Sequence, residues 1–268
     1  KFGKYIVAKV VFNTDNLHED VFKVFSEANT IQMFSNENFK INPKVYQNYL
    51  NILDTHIDQP NMKSLIHLCV DISSNKEEVR HQIPHFIFPL VATCVSVIPR
   101  LLTLILNDKK IVLKVKEEIN SMSKKNDKLL SQKINDLSFI RKCIMESLRL
   151  NNVVITTFRT LTQDFSFDSN YHFKKGTQFL ILNNPVLREK EYFKDPNAFI
   201  PERWTNSMEK SYYAISFNQG PQRCPAKELV IFLAQSFIYN FFLLNDVHKI
   251  KVKKIDLSNV PQVINPCT

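Results

Sequence analysis

Residues 217–226 read Phe-Asn-Gln-Gly-Pro-Gln-Arg-Cys-Pro-Ala and run almost at once into the apolar stretch Leu229 to Leu244, which sets one cysteine at the mouth of a helix. Gly220 and Pro221 make turns, so the backbone before Cys224 is a loop, while Pro225 suits the first helical position because it needs no amide hydrogen there. Free N–H groups and the positive end of the helix dipole favour a thiolate, and Arg223 acts in the same direction. A stabilised thiolate is either a nucleophile or a metal ligand. A nucleophile needs a nearby histidine base, and none lies between His172 and His248. The alternative is a buried structural cysteine, and these ten residues alone leave it open.

Other chemistries are narrowed by composition. A chain of 268 residues that is 44% hydrophobic can bury a large core and reads as one large domain or part of one. With 3 glycines against 21 phenylalanines, and neither GxGxxG nor GxxxxGK[ST], the common phosphate cradles are missing. The net charge of +9 comes from scattered lysines rather than one basic block, which argues for a solvated surface and against nucleic-acid binding. Five widely spaced cysteines without a CxxC pair argue against a disulfide framework or structural zinc and for a reducing compartment. His81 and His85 stand one helical turn apart, but Pro84 lies between them and no HExxH accompanies them. The chain starts at Lys1 with neither methionine nor a signal-like segment, and the expectation is that residues precede it in a longer protein.

Residues 3 to 80 read as packing helices, with apolar residues at helical spacing (Tyr5, Ile6, Val10, Val11; Val21, Val24, Phe25; Leu65, Ile66, Cys69) and breaks near Asn13, Asn36 and Asp58. Phe86 to Leu106 is long and apolar enough to span a bilayer, with Arg100 as its only charge. Pro89, Pro99 and Arg100, with amphipathic segments on both sides, favour a central buried helix over 85–107 instead. Asn107 to Lys124 continues as a charged amphipathic helix. Asp136 offers an N-cap for a helix over 136–150 that ends in Glu146-Ser147-Leu148-Arg149, with carboxylate and guanidinium on one face. Strands are predicted at Val153–Thr162, Phe165–Phe167 and Gln178–Leu182, with a Lys174-Lys175-Gly176 turn before the last, and at Lys249–Ile255 near the end. Between them, residues 191–224 combine the prolines of a loop with the aromatics of a core. A coil packed inward must satisfy its own backbone groups, and an arginine fork to a carboxylate is one rigid way to pin it.

ESLR at 146–149, the KKGTQ turn at 174–178, FKDPNAFIPERW at 193–204 and FNQGPQRC at 217–224 occur in an order and spacing that resemble the cytochrome P450 (haem-thiolate) family, over roughly residues 75 to 268. The fold implied is mainly α with small β-sheets, one partial domain over 1–268, with packing helices in 1–84, a meander and cysteine loop in 191–224 and a helix over 225–243. The resemblance implies haem b as cofactor and Cys224 as the thiolate on its iron, donating electron density that favours O–O cleavage. It makes Glu146, Arg149 and Arg203 a buried cluster that locks the coil. Arg159 resembles the arginine that pairs a haem propionate, Phe217 packs beside the ligand, and Gly220 permits the turn beneath the porphyrin.

The chain departs from the family pattern in several places. Gln222 replaces the usual Arg or His two residues before the cysteine, so one propionate contact is weakened or is taken over by Arg223, and Ala226 replaces a glycine. On the central helix, an ungapped comparison places Thr93 at the proton-delivery alcohol, with Ala92 where the acid belongs; a gapped one places Ser96 there, and the acid is missing in both. The resemblance also implies that the membrane-proximal sheet, the substrate loop and a propionate-binding helix lie outside this chain, which leaves the pocket open on one side.

The activity implied is a monooxygenase that inserts one oxygen atom of O2 into a lipophilic small molecule, with electrons from an NADPH-dependent reductase or a ferredoxin. The location implied is the cytoplasm or the cytoplasmic face of a membrane, reached through a segment preceding this chain. Two alternatives stay open: a haem-thiolate isomerase or dehydratase acting on peroxides, which needs no proton relay and so suits Ala92, and a non-catalytic haem-binding or scaffold relative.

Overall fold

Capping side chains set where the first helices start and stop. In the computed structural model, which describes residues 2–27, 42–124, 129–154 and 156–258, two compact units form, Lys1–Val95 and Ser96–Thr268.

In the first unit, α1 (Phe2–Val7) widens into a π turn (Ala8–Phe12) and stops at Asn13, which adopts the left-handed conformation at φ 50°. Next come α2 (Asp20–Glu27) and α3 (Pro43–Asp58). The Asn42 side chain accepts from the Lys44 amide to start α3, and Pro43 occupies the first turn, where its missing donor costs nothing. Tyr49, Leu53 and Ile57 then fall four residues apart on the buried face. Ser64 caps α4 (Leu65–Ile72) by accepting from the His67 amide at 2.9 Å. The expected breaks at Asn13 and Asp58 are present, and the one near Asn36 lies outside the described residues. Tyr5, read as a packing residue, is 54% exposed, because the buried face of that turn is taken by Val7, Ala8 and Val11.

The long helix α5 (Lys76–Leu106) contains the boundary between the units and begins nine residues before the predicted start at 85. Asn75 explains the early start: its side-chain Oδ1 accepts from the Glu77 and Glu78 amides at 3.1 and 3.4 Å. The helix passes through Pro84, Pro89 and Pro99, each of which removes a single backbone donor.

In the second unit, the Asp108 carboxylate caps α6 (Lys109–Ser123), which buries Ile111, Val115 and Ile119 at four-residue spacing. After α7 (Leu130–Asn135), α8 (Ser138–Leu150) starts two residues later than predicted, and Asp136 is not its cap. Asp136 closes α7, its N–H donating to the Gln132 carbonyl, while Glu118 of α6 caps α8 by accepting from the Phe139 and Ile140 amides at 2.6 and 2.9 Å. A carboxylate from another helix outcompetes the local one because the α6–α8 packing holds it there.

Two small antiparallel sheets follow. β1 (Thr156–Thr160) pairs with β4 (Gln178–Leu182), and β2 (Phe165–Ser166) with β3 (His172–Phe173). Gly176 turns the chain at φ 89°, which a side chain rarely allows. Then come α9 (Asn183–Leu187), a long coil, α10 (Asn206–Glu209) and α11 (Lys227–Leu244), which packs on α6, α7 and α8. Ile119, Ile140, Ile144, Ile231 and Ile238 fill this packing and are each at most 2% exposed, so each contributes roughly 1.5–3 kcal/mol by burial.

Lys249–Ile255, predicted as a strand, forms none. A 3-10 turn over Val247–Lys249 leads into irregular chain whose Lys253 and Leu257 carbonyls accept from the side chains of Asn107 and Arg188, in place of a ladder partner. Among the described residues the architecture is mainly α with two small sheets.

Candidate functional site

The coil after α9 folds inward around one carboxylate. Glu146 is fully buried, and its Oε1 accepts from Arg149 Nη2 at 2.8 Å, the Ile200 amide at 3.0 Å and Arg203 Nε at 3.1 Å. Its Oε2 accepts from Arg149 Nε and Trp204 Nε1, both at 2.8 Å. Every lone-pair direction of a buried charge is thus occupied, which a carboxylate removed from water requires.

The two arginines carry the grip outward. Arg149, also fully buried, donates Nη1 to the Leu187 and Pro196 carbonyls at 2.8 and 2.7 Å and Nη2 to the Ala198 carbonyl at 3.2 Å, with its guanidinium 5.0 Å from the Phe193 ring centre. Arg203 donates to the Lys194 and Asp195 carbonyls at 2.8 and 3.3 Å. Arg149 from helix α8 and Arg203 from the coil itself therefore satisfy carbonyls that have no ladder partner.

The predicted trio Glu146, Arg149 and Arg203 is brought together. Two further members were not read from the sequence. Trp204 adds an indole N–H, and the signal was its place as the chain's only tryptophan directly after Pro-Glu-Arg. Arg188 ties the coil to the Leu150 carbonyl at 2.8 Å and to Asn197 Oδ1 at 2.7 Å; it had no signal, being one cation among 35. Burial, with Arg149 nearby, holds the Arg188 pKa below the usual arginine value.

The coil leads to Cys224. The turn Ile215–Phe217 is followed by Asn218 at φ 59° and Gly220 at φ 68°, and the loop closes where the Cys224 amide donates to the Phe217 carbonyl at 2.8 Å. Helix α11 begins at Lys227, two residues after the expected Pro225, because Pro225 and Ala226 form a turn between loop and helix. Cys224 is partly exposed. A Cβ built at Gly220 would meet no atom within 4 Å, so the loop opens onto free space there. By contrast, Cys143 is buried in α8, and burial with the charges of Glu118, Glu202 and Glu146 pushes its thiol pKa well up. A partly exposed thiol on a loop open at its glycine fits an iron porphyrin, whereas the buried Cys143 does not.

The other predicted residues stand apart from the cluster. Arg159 lies on β1 with Nη1 donating to the Phe158 carbonyl at 2.7 Å, and Arg223 is exposed beside Cys224. The side chain of Thr93, like that of Ala92, lies outside the described residues, although α5 carries both positions. Ser96 is buried.

Among curated proteins, the C-22 sterol desaturase of Candida albicans is 24% identical over 238 residues, covering 85% of this chain and 45% of its own length. The beta-amyrin 11-oxidase of Glycyrrhiza uralensis is 32% identical over 130 residues, 48% of this chain and 26% of its own length. The chain thus spans less than half the length of these relatives. A mutant cytochrome P450DA heme domain superposes with a TM-score of 0.71 at 18% identity, over 94% of this chain and 62% of that one, a likeness of fold. The family model for cytochrome P450 matches residues 6–244, and this chain belongs to the cytochrome P450 family.

Proposed function

We propose that residues 1–268 form part of a single cytochrome P450 domain that binds haem b through Cys224 and serves a monooxygenase acting on a lipophilic small molecule. The observation that carries this reading is the coil pinned by Glu146, Arg149, Arg203 and Trp204, which ends in the partly exposed thiol of Cys224. Family membership supports it further.

In this reading Cys224 would hold the haem iron, Arg159 and Arg223 would pair with its propionates, and Phe217 would pack beside the cysteine ligand. The bound haem supplies the activation of O2. The Phe217 carbonyl, by accepting from the Cys224 amide, keeps the loop closed, so that a thiolate is presented at a fixed place. Thr93 supplies the alcohol for proton delivery. With Ala92 beside it the proton comes from water or from another residue rather than from a neighbouring acid. Electrons come from a reductase or a ferredoxin, and the protein works in the cytoplasm or on the cytoplasmic face of a membrane.

The test is the absorption spectrum of the full-length, dithionite-reduced protein under carbon monoxide. A red-shifted Soret band is expected, lost in Cys224→Ala and kept in Cys143→Ala. An unchanged band in Cys224→Ala overturns the assignment. Oxidation of a lipophilic probe that requires reductase and NADPH supports the monooxygenase, and turnover of a fatty-acid hydroperoxide without electrons overturns it.

A further inference from the structure

A second set of charges lies around the cysteine loop, and the cluster described above does not include it. Arg141 sits on α8, five residues before Glu146. Its Nε donates to Glu209 at 3.1 Å and its Nη2 also reaches Glu209, at the end of α10. Its Nη1 and Nη2 donate to Glu228 in the first turn of α11 at 2.8 and 3.0 Å. Glu209 also pairs with Lys227 at 2.8 Å, and the Lys227 ammonium stands 5.9 Å from the centre of the Phe217 ring.

Both flanks of Cys224 therefore lead to one guanidinium. Upstream is Phe217, whose carbonyl holds the Cys224 amide and whose ring lies under Lys227. Downstream are Lys227 and Glu228, separated from Cys224 only by the Pro225-Ala226 turn. Residues 223–226 have little slack, since the Arg223 amide donates to Gly220 at 3.1 Å and the Val230 amide to Ala226 at 2.9 Å. Only Pro225 and Ala226 separate Cys224 from the start of α11, so a movement there is passed to the cysteine over a short segment.

We propose that Arg141 is a positioning residue for Cys224, which through Glu209, Lys227 and Glu228 holds the first turn of α11 and the loop before the cysteine at a fixed place on α8. The inference rests on the haem-thiolate reading for its consequence, but not for its geometry. Burial pushes the Glu209 carboxyl upward, and hydrogen bonds from Arg141 and Lys227 overcome this and hold its pKa below the usual value. The Glu228 carboxyl is lowered as well, chiefly by Arg141. The network lines an open cleft of about 420 Å³, so solvent and salt reach it.

The test compares Arg141→Ala and Arg141→Lys with Lys114→Ala, which breaks an exposed pair to Glu202 elsewhere in the same unit. In the full-length protein, with and without haem, amide exchange over residues 217–230 and alkylation of Cys224 are followed by peptide-resolved mass spectrometry. Both are expected to be about tenfold faster in Arg141→Ala, partly restored in Arg141→Lys and unchanged in Lys114→Ala. In the haem-loaded protein, Arg141→Ala is expected to convert faster from the red-shifted carbon monoxide band to that of a neutral thiol, at a rate that Arg141→Lys lowers. Wild-type exchange and alkylation in Arg141→Ala overturn the proposal, as does acceleration spread evenly over the whole unit. A wild-type protein without the red-shifted band overturns the haem-thiolate reading alone, and the exchange measurement still decides the role of Arg141.

Discussion

Helix α8 holds the stretch from α9 to α11 at two places with similar chemistry and unequal exposure. Near its C-terminal end Glu146 and Arg149 are both fully buried. Near its start, Arg141 pairs with Glu209, whose side chain is 17% exposed, and with Glu228, at 70%. Away from water a charge must be matched completely, and the inner cluster is: its carboxylate accepts from two arginines, an indole and an amide. At the outer site water can replace a lost partner, so the network can be loosened without leaving a stranded charge. The inner cluster thus depends on complete pairing away from water, and the outer one on salt and pH.

The comparison breaks most directly at Glu146. Glu146→Ala strands the Arg149 guanidinium in the core and is expected to cost on the order of 3–5 kcal/mol, read from urea unfolding of the full-length protein at neutral pH. A midpoint within error of wild type would mean that burial does not separate the two grips. Arg149→Lys comes next, at roughly 2–4 kcal/mol, because one ammonium cannot reproduce a bidentate fork to Glu146 together with donors to three carbonyls. Trp204→Phe keeps a ring but removes one donor from the buried carboxylate, for a loss of about 1–2 kcal/mol by the same measurement.

The outer network should show itself through solution conditions. The folded pKa of Glu209 lies below its reference value of 4.5, so its stabilisation is complete above that value and fades as the pH falls through the lowered one. Unfolding free energies of wild type and Glu209→Gln, read from urea titrations, should therefore differ by roughly 1 kcal/mol at neutral pH and converge as the pH falls through the lowered carboxyl pKa. A gap that stays constant would remove the ionised carboxylate from the account. The smallest effect is expected for Glu228→Gln, a few tenths of a kcal/mol at about 0.1 M salt and nothing measurable near about 1 M. The cost of Trp204→Phe should not change over that salt range.

Much of this was legible in the order of residues because it depends on local chemistry. The turn at Gly176, the strand Gln178–Leu182 and the buried stripe Ile111, Val115, Ile119 follow from backbone permissiveness and from periodicities of two and four. Glu146 and Arg149 share a helix face, so their pairing needs only i, i+3 geometry. What failed depended on partners far away in the chain. Asp136 has the chemistry of a cap, yet Glu118 takes that place because α6 carries it there. Lys249–Ile255 alternates like a strand, yet side chains of Asn107 and Arg188 meet its region and no ladder forms.

Local residue order set where helices and turns can form, which cysteine opens onto a loop before a helix, and which carboxylate and guanidinium face one another. Those properties are set within a few residues by sterics, capping and spacing. Long-range packing settled that Trp204 completes the buried cluster and that Arg141 pairs with Glu209 before Cys224 and with Glu228 after it. A charge acquires its role from burial and from the partners that packing brings within hydrogen-bond reach, and neither is a local property of the chain.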